Sequence, residues 1–158
     1  MIKTFSQILA ENDIATIENA LKAALERTDE TPFWKEKSLP LAHAILSVAL
    51  PLRDQGLLFD PEGNPRTVLT PELVLRWCDL VSLKTLAFTL QKSNDAGQLL
   101  RTKLETEQSK RYRPVDLSAL GSYLSGYAVN LENEALDFPI AHYNLHTGIA
   151  GVLQKLMK

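Results

Sequence analysis

Apolar residues recur along this chain at three- and four-residue intervals, and the β-branched alternation of half-buried strands is missing. The pattern predicts an all-α fold of about seven or eight helices packed as a compact irregular bundle. Its clearest element runs from Thr31 to Gly56. There Leu39, Leu41, Ala42, Ile45, Leu46, Val48, Ala49, Leu50 and Leu52 put apolar groups nearly all round the axis, so the helix must be covered on most sides. Thr31 is placed to cap the first free N–H groups, Pro32 fits the first helical position, and Gly56 suits the left-handed turn that stops the helix. Charges gather at Lys35, Glu36 and Lys37 and again at Arg53 and Asp54, which predicts a central helix whose tips alone meet water.

Shorter elements flank it. A helix is expected around Phe5 to Ala10, and a second from Asp13 to about Arg27, with Ile14, Ile17, Ala20, Leu21, Ala24 and Leu25 as its inner stripe. Between Leu57 and Leu69, the run Asp60-Pro61-Glu62-Gly63-Asn64-Pro65 marks a turn or short hairpin-like loop. Thr70-Pro71-Glu72 repeats the cap-then-proline start and launches Leu73 to Cys78; Asp79 to Gln91 follows at helical spacing. Ser93-Asn94-Asp95 is expected to break that helix and cap a more polar one over residues 96–109. After a break at Tyr112-Arg113-Pro114, a helix starting at Asp116 or Ser118 runs to about Tyr127, and Pro139 opens a last helix reaching the C-terminus. Neither an internal repeat nor a low-complexity segment is visible. Residues 1–158 read as one domain, and the stop at Leu156-Met157-Lys158 without a terminating signal fits a domain cut from a larger protein.

Composition changes this picture little. Hydrophobic residues make up 45% and charged residues 23% of 158, the usual globular mix. The longest apolar run, Leu39 to Leu52, is interrupted by Pro40, His43 and Ser47 and falls short of the roughly 20 residues a bilayer span needs. No membrane insertion is expected. Residues 2–25 read as amphipathic rather than as a secretory leader, which places the chain in the cytoplasm. The single cysteine, Cys78, fits a reducing compartment and reads as a small buried hydrophobe.

Candidate chemistry is sparse. No glycine-rich phosphate loop is present, and Lys84-Thr85 lies in mid-helix. His142 and His146 are four apart and share a helix face, half of a metal site in geometry, but no Glu follows the first histidine; no metal or cofactor is expected. Gly121-Ser122-Tyr123-Leu124-Ser125-Gly126 lacks the nucleophile-elbow pattern and reads as a small-residue stripe for close helix packing. Glu105, Glu107, Glu132 and Glu134 read as solvated. One charge feature looks functional: Arg101, Lys103, Lys110, Arg111 and Arg113, with Tyr112 among them. Cations release counterions from phosphate and an aromatic can stack on a base, so these residues could contact DNA or RNA, or an acidic protein partner. The net charge of −2 argues against a protein wholly devoted to nucleic acid.

The aromatic pair Phe33-Trp34 behind Pro32, the mixed-charge turn, the long Leu/Ala-rich helix and its end at Leu52-Arg53-Asp54-Gln55-Gly56 resemble the start of the all-α domain of type IV secretion coupling proteins. Leu69-Thr70-Pro71-Glu72 and Asp79-Leu80-Val81-Ser82-Leu83 extend the likeness over roughly residues 32–90. The resemblance implies the cytoplasmic substrate-recognition domain of a hexameric, membrane-anchored ATPase that passes relaxase–DNA complexes or effector proteins to a secretion channel. Its partners would be protein cargo or relaxosome components, with possible DNA contact, and the nucleotide-binding motifs would lie in the motor. Phe33, Trp34, Arg53 and Asp54 carry over as architecture only, Trp34 as a core plug. Two other classes stay open: an independent cytosolic helical adaptor or secretion chaperone, and a small helical enzyme or metal protein built on His142, His146 and nearby acids.

Overall fold

A computed structural model describes residues 4–132, 135 and 138–157. The readings made on Ile2, Glu134 and Lys158 lie outside them. Eight helices are present among the described residues: α1 (Phe5–Glu11), α2 (Ile14–Glu26), α3 (Pro32–Gln55), α4 (Pro71–Arg76), α5 (Leu80–Ala96), α6 (Thr106–Ser109), α7 (Ser118–Gly126) and α8 (Ile140–Leu156). The all-α expectation holds, and the reason is visible at the helix starts. Thr4 and Gln7 form a reciprocal capping box on α1. Asp13, Thr70 and Asp79 each accept a backbone N–H of the first turn of α2, α4 and α5. Thr31 differs: it holds the cap position of α3 in extended backbone without a side-chain hydrogen bond, and Pro32 does the starting.

The core is organised around α3, which packs against α2, α7 and α8. Leu41, Ala42, Ala44, Ile45, Leu46 and Val48 are completely buried. Water reaches more than its tips, however. Pro40 and His43 are exposed in mid-helix, because α2 covers one flank only and leaves a groove beside Leu39. Pro40 and Pro51 both lie inside α3; each lacks the N–H that would bond the carbonyl four residues back. Arg53 reaches from the last turn to donate to the Leu9 carbonyl at 2.8 Å, filling one of the unpaired acceptors at the end of α1.

The 57–69 connection is the expected hairpin-like loop, with Phe59 and Pro65 bridged. The nearly buried Asp60 organises it, accepting the N–H groups of Glu62 (3.0 Å) and Asn64 (2.9 Å) and Arg76 Nη1 (3.2 Å). Burial pushes its carboxyl up, but those donors outweigh it and hold the group below the usual aspartate range. At the other end of the bundle Trp34 lies over Gly148 of α8. A Cβ there would stand 2.8 Å from the indole, so the close helix approach occurs at this glycine. The stripe over Gly121 and Gly126 does not serve that purpose, since a Cβ at either position would meet nothing within 4 Å.

The largest departure from expectation lies after α5. Ser93-Asn94-Asp95 does not break the helix, which continues to Ala96 and ends at Gly97 in the left-handed conformation. The polar helix expected over residues 96–109 is replaced by an irregular strap, residues 98–117, holding only the single turn of α6.

Candidate recognition surface

The strap is fastened by side chains that the sequence offers as helix breakers. Ser93 Oγ, fully buried, donates to the Thr89 carbonyl at 2.7 Å and accepts the Leu100 N–H at 3.0 Å. Asn94 clamps Val115 from both sides: its Nδ2 donates to the Val115 carbonyl at 2.9 Å, and its Oδ1 accepts the Val115 N–H at 3.0 Å. The same Oδ1 accepts the Tyr112 hydroxyl. Gln55, the last residue of α3, pairs with the Arg113 backbone through two hydrogen bonds: its Oε1 accepts the Arg113 N–H at 2.7 Å and its Nε2 donates to the Arg113 carbonyl at 3.1 Å. Within the strap Leu99 N–H bonds the Ser109 carbonyl, and Lys103 N–H bonds the Gly63 carbonyl at 2.7 Å. Arg101 stands at φ 58°, a left-handed conformation that costs a residue with a Cβ roughly 1–2 kcal/mol. The close approach of Gly63, whose Cβ would lie 3.2 Å from the Arg101 carbonyl, accompanies that bend.

On this backbone Arg101, Lys103, Lys110, Arg111 and Arg113 are all exposed. Lys110 pairs with Glu107 at 3.7 Å, whereas Lys103, Arg111 and Arg113 make no ion pair among the described residues. Tyr112 does not join them. It is only 4% exposed, and burial pushes its phenol up, so the ring is a core group and cannot stack on a base from this position. Of the five, Arg101 meets an aromatic ring: its guanidinium lies 5.6 Å from the ring centre of Phe88 of α5, which Lys92 Nζ also approaches at 4.7 Å. Phe88 and Lys92 were not singled out from the sequence, although an aromatic and a lysine four apart on a helix are neighbours and could have marked them.

The histidines are spent differently from a metal pair. The Cys78 carbonyl, 2.5 Å from His146 Nε2, can only accept, so that nitrogen carries the proton. His146 Nδ1 is therefore the acceptor of the Tyr123 hydroxyl at 2.7 Å. Both ring nitrogens are engaged, leaving no lone pair for a metal. Burial pushes the ring below the usual histidine range, against the Cys78 carbonyl and Asp79, which pull it up. His142 instead meets the Tyr127 ring edge-on at 6.5 Å. The Cys78 thiol, buried and donating weakly to the Val74 carbonyl, is pushed up to about 12, far from a reactive thiolate. Burial, and then the Tyr127 phenol, also push Tyr123 upward. A cavity of about 200 Å³ beside Cys78 and His146 thus borders a satisfied polar network.

A wider groove of about 560 Å³ between α2 and α3 is lined by Glu18, Asn19, Lys22, Glu36, Leu39, Pro40 and His43, with His43 Nδ1 against Glu18. No Ser, Thr or Cys is among those lining residues. Among the described residues, no three His, Cys, Asp or Glu side chains converge to hold a metal, and no helix is long and apolar enough to cross a membrane. Compared with protein-family models, curated proteins and solved structures, the chain finds no match.

Proposed function

We propose that this chain is a helical recognition domain that captures macromolecular cargo for a separate secretion engine, the role implied by its resemblance to the all-α domain of type IV coupling proteins. The observation that carries this proposal is the strap: five exposed cations on a backbone fixed by Ser93, Asn94, Gln55 and buried Tyr112. A segment ordered by its own fold loses little conformational freedom on binding, and exposed charges speed and orient encounter with an oppositely charged partner. Cargo would be a relaxosome component, an effector protein or relaxase-bound DNA. Nucleotide hydrolysis, hexamer formation and anchoring at the cytoplasmic face of the inner membrane would belong to the parent motor.

The test is made in the native gene, replacing Lys103, Arg111 and Arg113 with glutamate and measuring delivery of cargo by the host secretion system. Losing about 1.4 kcal/mol of binding already costs a factor of ten, so delivery should fall by about tenfold or more. The purified variant should keep the helical circular dichroism of the wild type. Undiminished delivery by a normally abundant, folded variant would refute the proposal.

A further inference from the structure

We infer that the partner seated on the strap is an acidic protein segment, a peptide carrying spaced Asp and Glu side chains, rather than a nucleic acid. The inference rests on the recognition proposal above and names the chemistry of its site. Its first support is the fate of the aromatics. Binding of single strands draws heavily on stacking platforms. Tyr112 is buried with its hydroxyl on Asn94, and Phe88 already carries Lys92 and Arg101 against its ring.

The second support is the charge pattern. Exposed Glu105 and Glu107 separate Arg101 and Lys103 from Lys110, Arg111 and Arg113. Each strand of duplex DNA presents a negative charge about every 3.4 Å of the helix axis, so a phosphate backbone laid along the strap meets both carboxylates. A peptide spaces its acids by choice and can set a neutral or basic residue opposite the two glutamates.

The third support is the alternation of exposed Arg111, buried Tyr112 and exposed Arg113. The buried ring fixes the backbone between two guanidinium groups, neither of which has an ion-pair partner among the described residues. A planar guanidinium matches a carboxylate or a phosphate through two parallel N–H bonds, a geometry that lysine cannot reproduce, so the pair selects an oxyanion and the two supports above decide for the peptide.

Fluorescence anisotropy of the full chain at low salt tests this with three labelled probes: a peptide of about a dozen residues with Glu-rich ends around a neutral Ser-Gly centre, a single-stranded oligonucleotide and a duplex. The peptide should bind at least about tenfold more tightly than either oligonucleotide. Arg111→Glu with Arg113→Glu should abolish that binding, and Arg111→Lys with Arg113→Lys should weaken it despite the retained charge. An oligonucleotide bound more tightly than the peptide, and lost on charge reversal, would overturn the acidic-peptide inference while leaving cargo recognition intact. Peptide binding unchanged by charge reversal, or absent, would also overturn it, and the delivery assay would then judge cargo recognition separately.

Discussion

Replacing Asn94 with alanine removes the clamp between α5 and the strap. Three hydrogen bonds disappear: Asn94 Nδ2 to the Val115 carbonyl, Val115 N–H to Asn94 Oδ1, and the Tyr112 hydroxyl to the same oxygen. Val115 and Tyr112 are each 4% exposed, so their stranded polar groups gain little from water. A buried group left unpaired costs about 1–3 kcal/mol; because Asn94 is itself only part-buried, water can reach some of the gap, and the total should fall near 3 kcal/mol. For a chain of this size each kcal/mol moves Tm by about 2–4 °C, giving a fall of roughly 6–12 °C by calorimetry. Tyr112→Phe removes one bond only and should cost about 1 kcal/mol. The double variant should cost less than the sum of the two, since both act through one oxygen. Limited trypsin digestion supplies a second readout, because a released strap should be cut faster after Arg101, Lys103 or Arg111. A Tm within about 2 °C of wild type, with unchanged cutting, would mean that Asn94 does not hold the strap.

Gly148→Ala should destabilise by about 1–3 kcal/mol and perturb tryptophan fluorescence, since its Cβ would meet the Trp34 ring at 2.8 Å. Gly121→Ala, in open space, should instead be neutral or stabilising by up to about 1 kcal/mol; equal effects at the two sites in urea unfolding would contradict the packing described. For His146 the folded pKa lies below the unfolded value, so the unfolded chain binds the extra proton. Stability should therefore fall as pH drops through the unfolded value near 6.5 and keep falling toward the folded one, by at most about 1.4 kcal/mol per pH unit. Urea midpoints measured across that window for wild type and His146→Gln decide the matter, and identical slopes would count against it.

Much of the fold was legible because the information was local. The caps Asp13, Thr70 and Asp79, the prolines at the starts of α3 and α4, and Gly56 act within a turn of their own position. The strap was not, because Ser93 and Asn94 carry the chemistry of breakers but bond Leu100, Tyr112 and Val115, partners 7 to 21 residues away. Tyr112 among arginines reads as a surface aromatic until Asn94 is known to receive its hydroxyl. The cations at Lys103, Arg111 and Arg113 were visible as charges; that they stand on a fixed backbone was not. The Trp34 and Gly148 contact joins residues whose separation no periodicity encodes.

The central place of α3 also bears on how the chain is made. Its flanks are closed by α2, which precedes it, and by α7 and α8, which follow it. At about 5–20 residues per second of synthesis, the stretch from Gly56 to Leu156 takes on the order of 5–20 s to emerge. Throughout that interval α3 has α2 beside it but not yet the cover of α7 and α8, so its apolar face stays open until those two helices emerge.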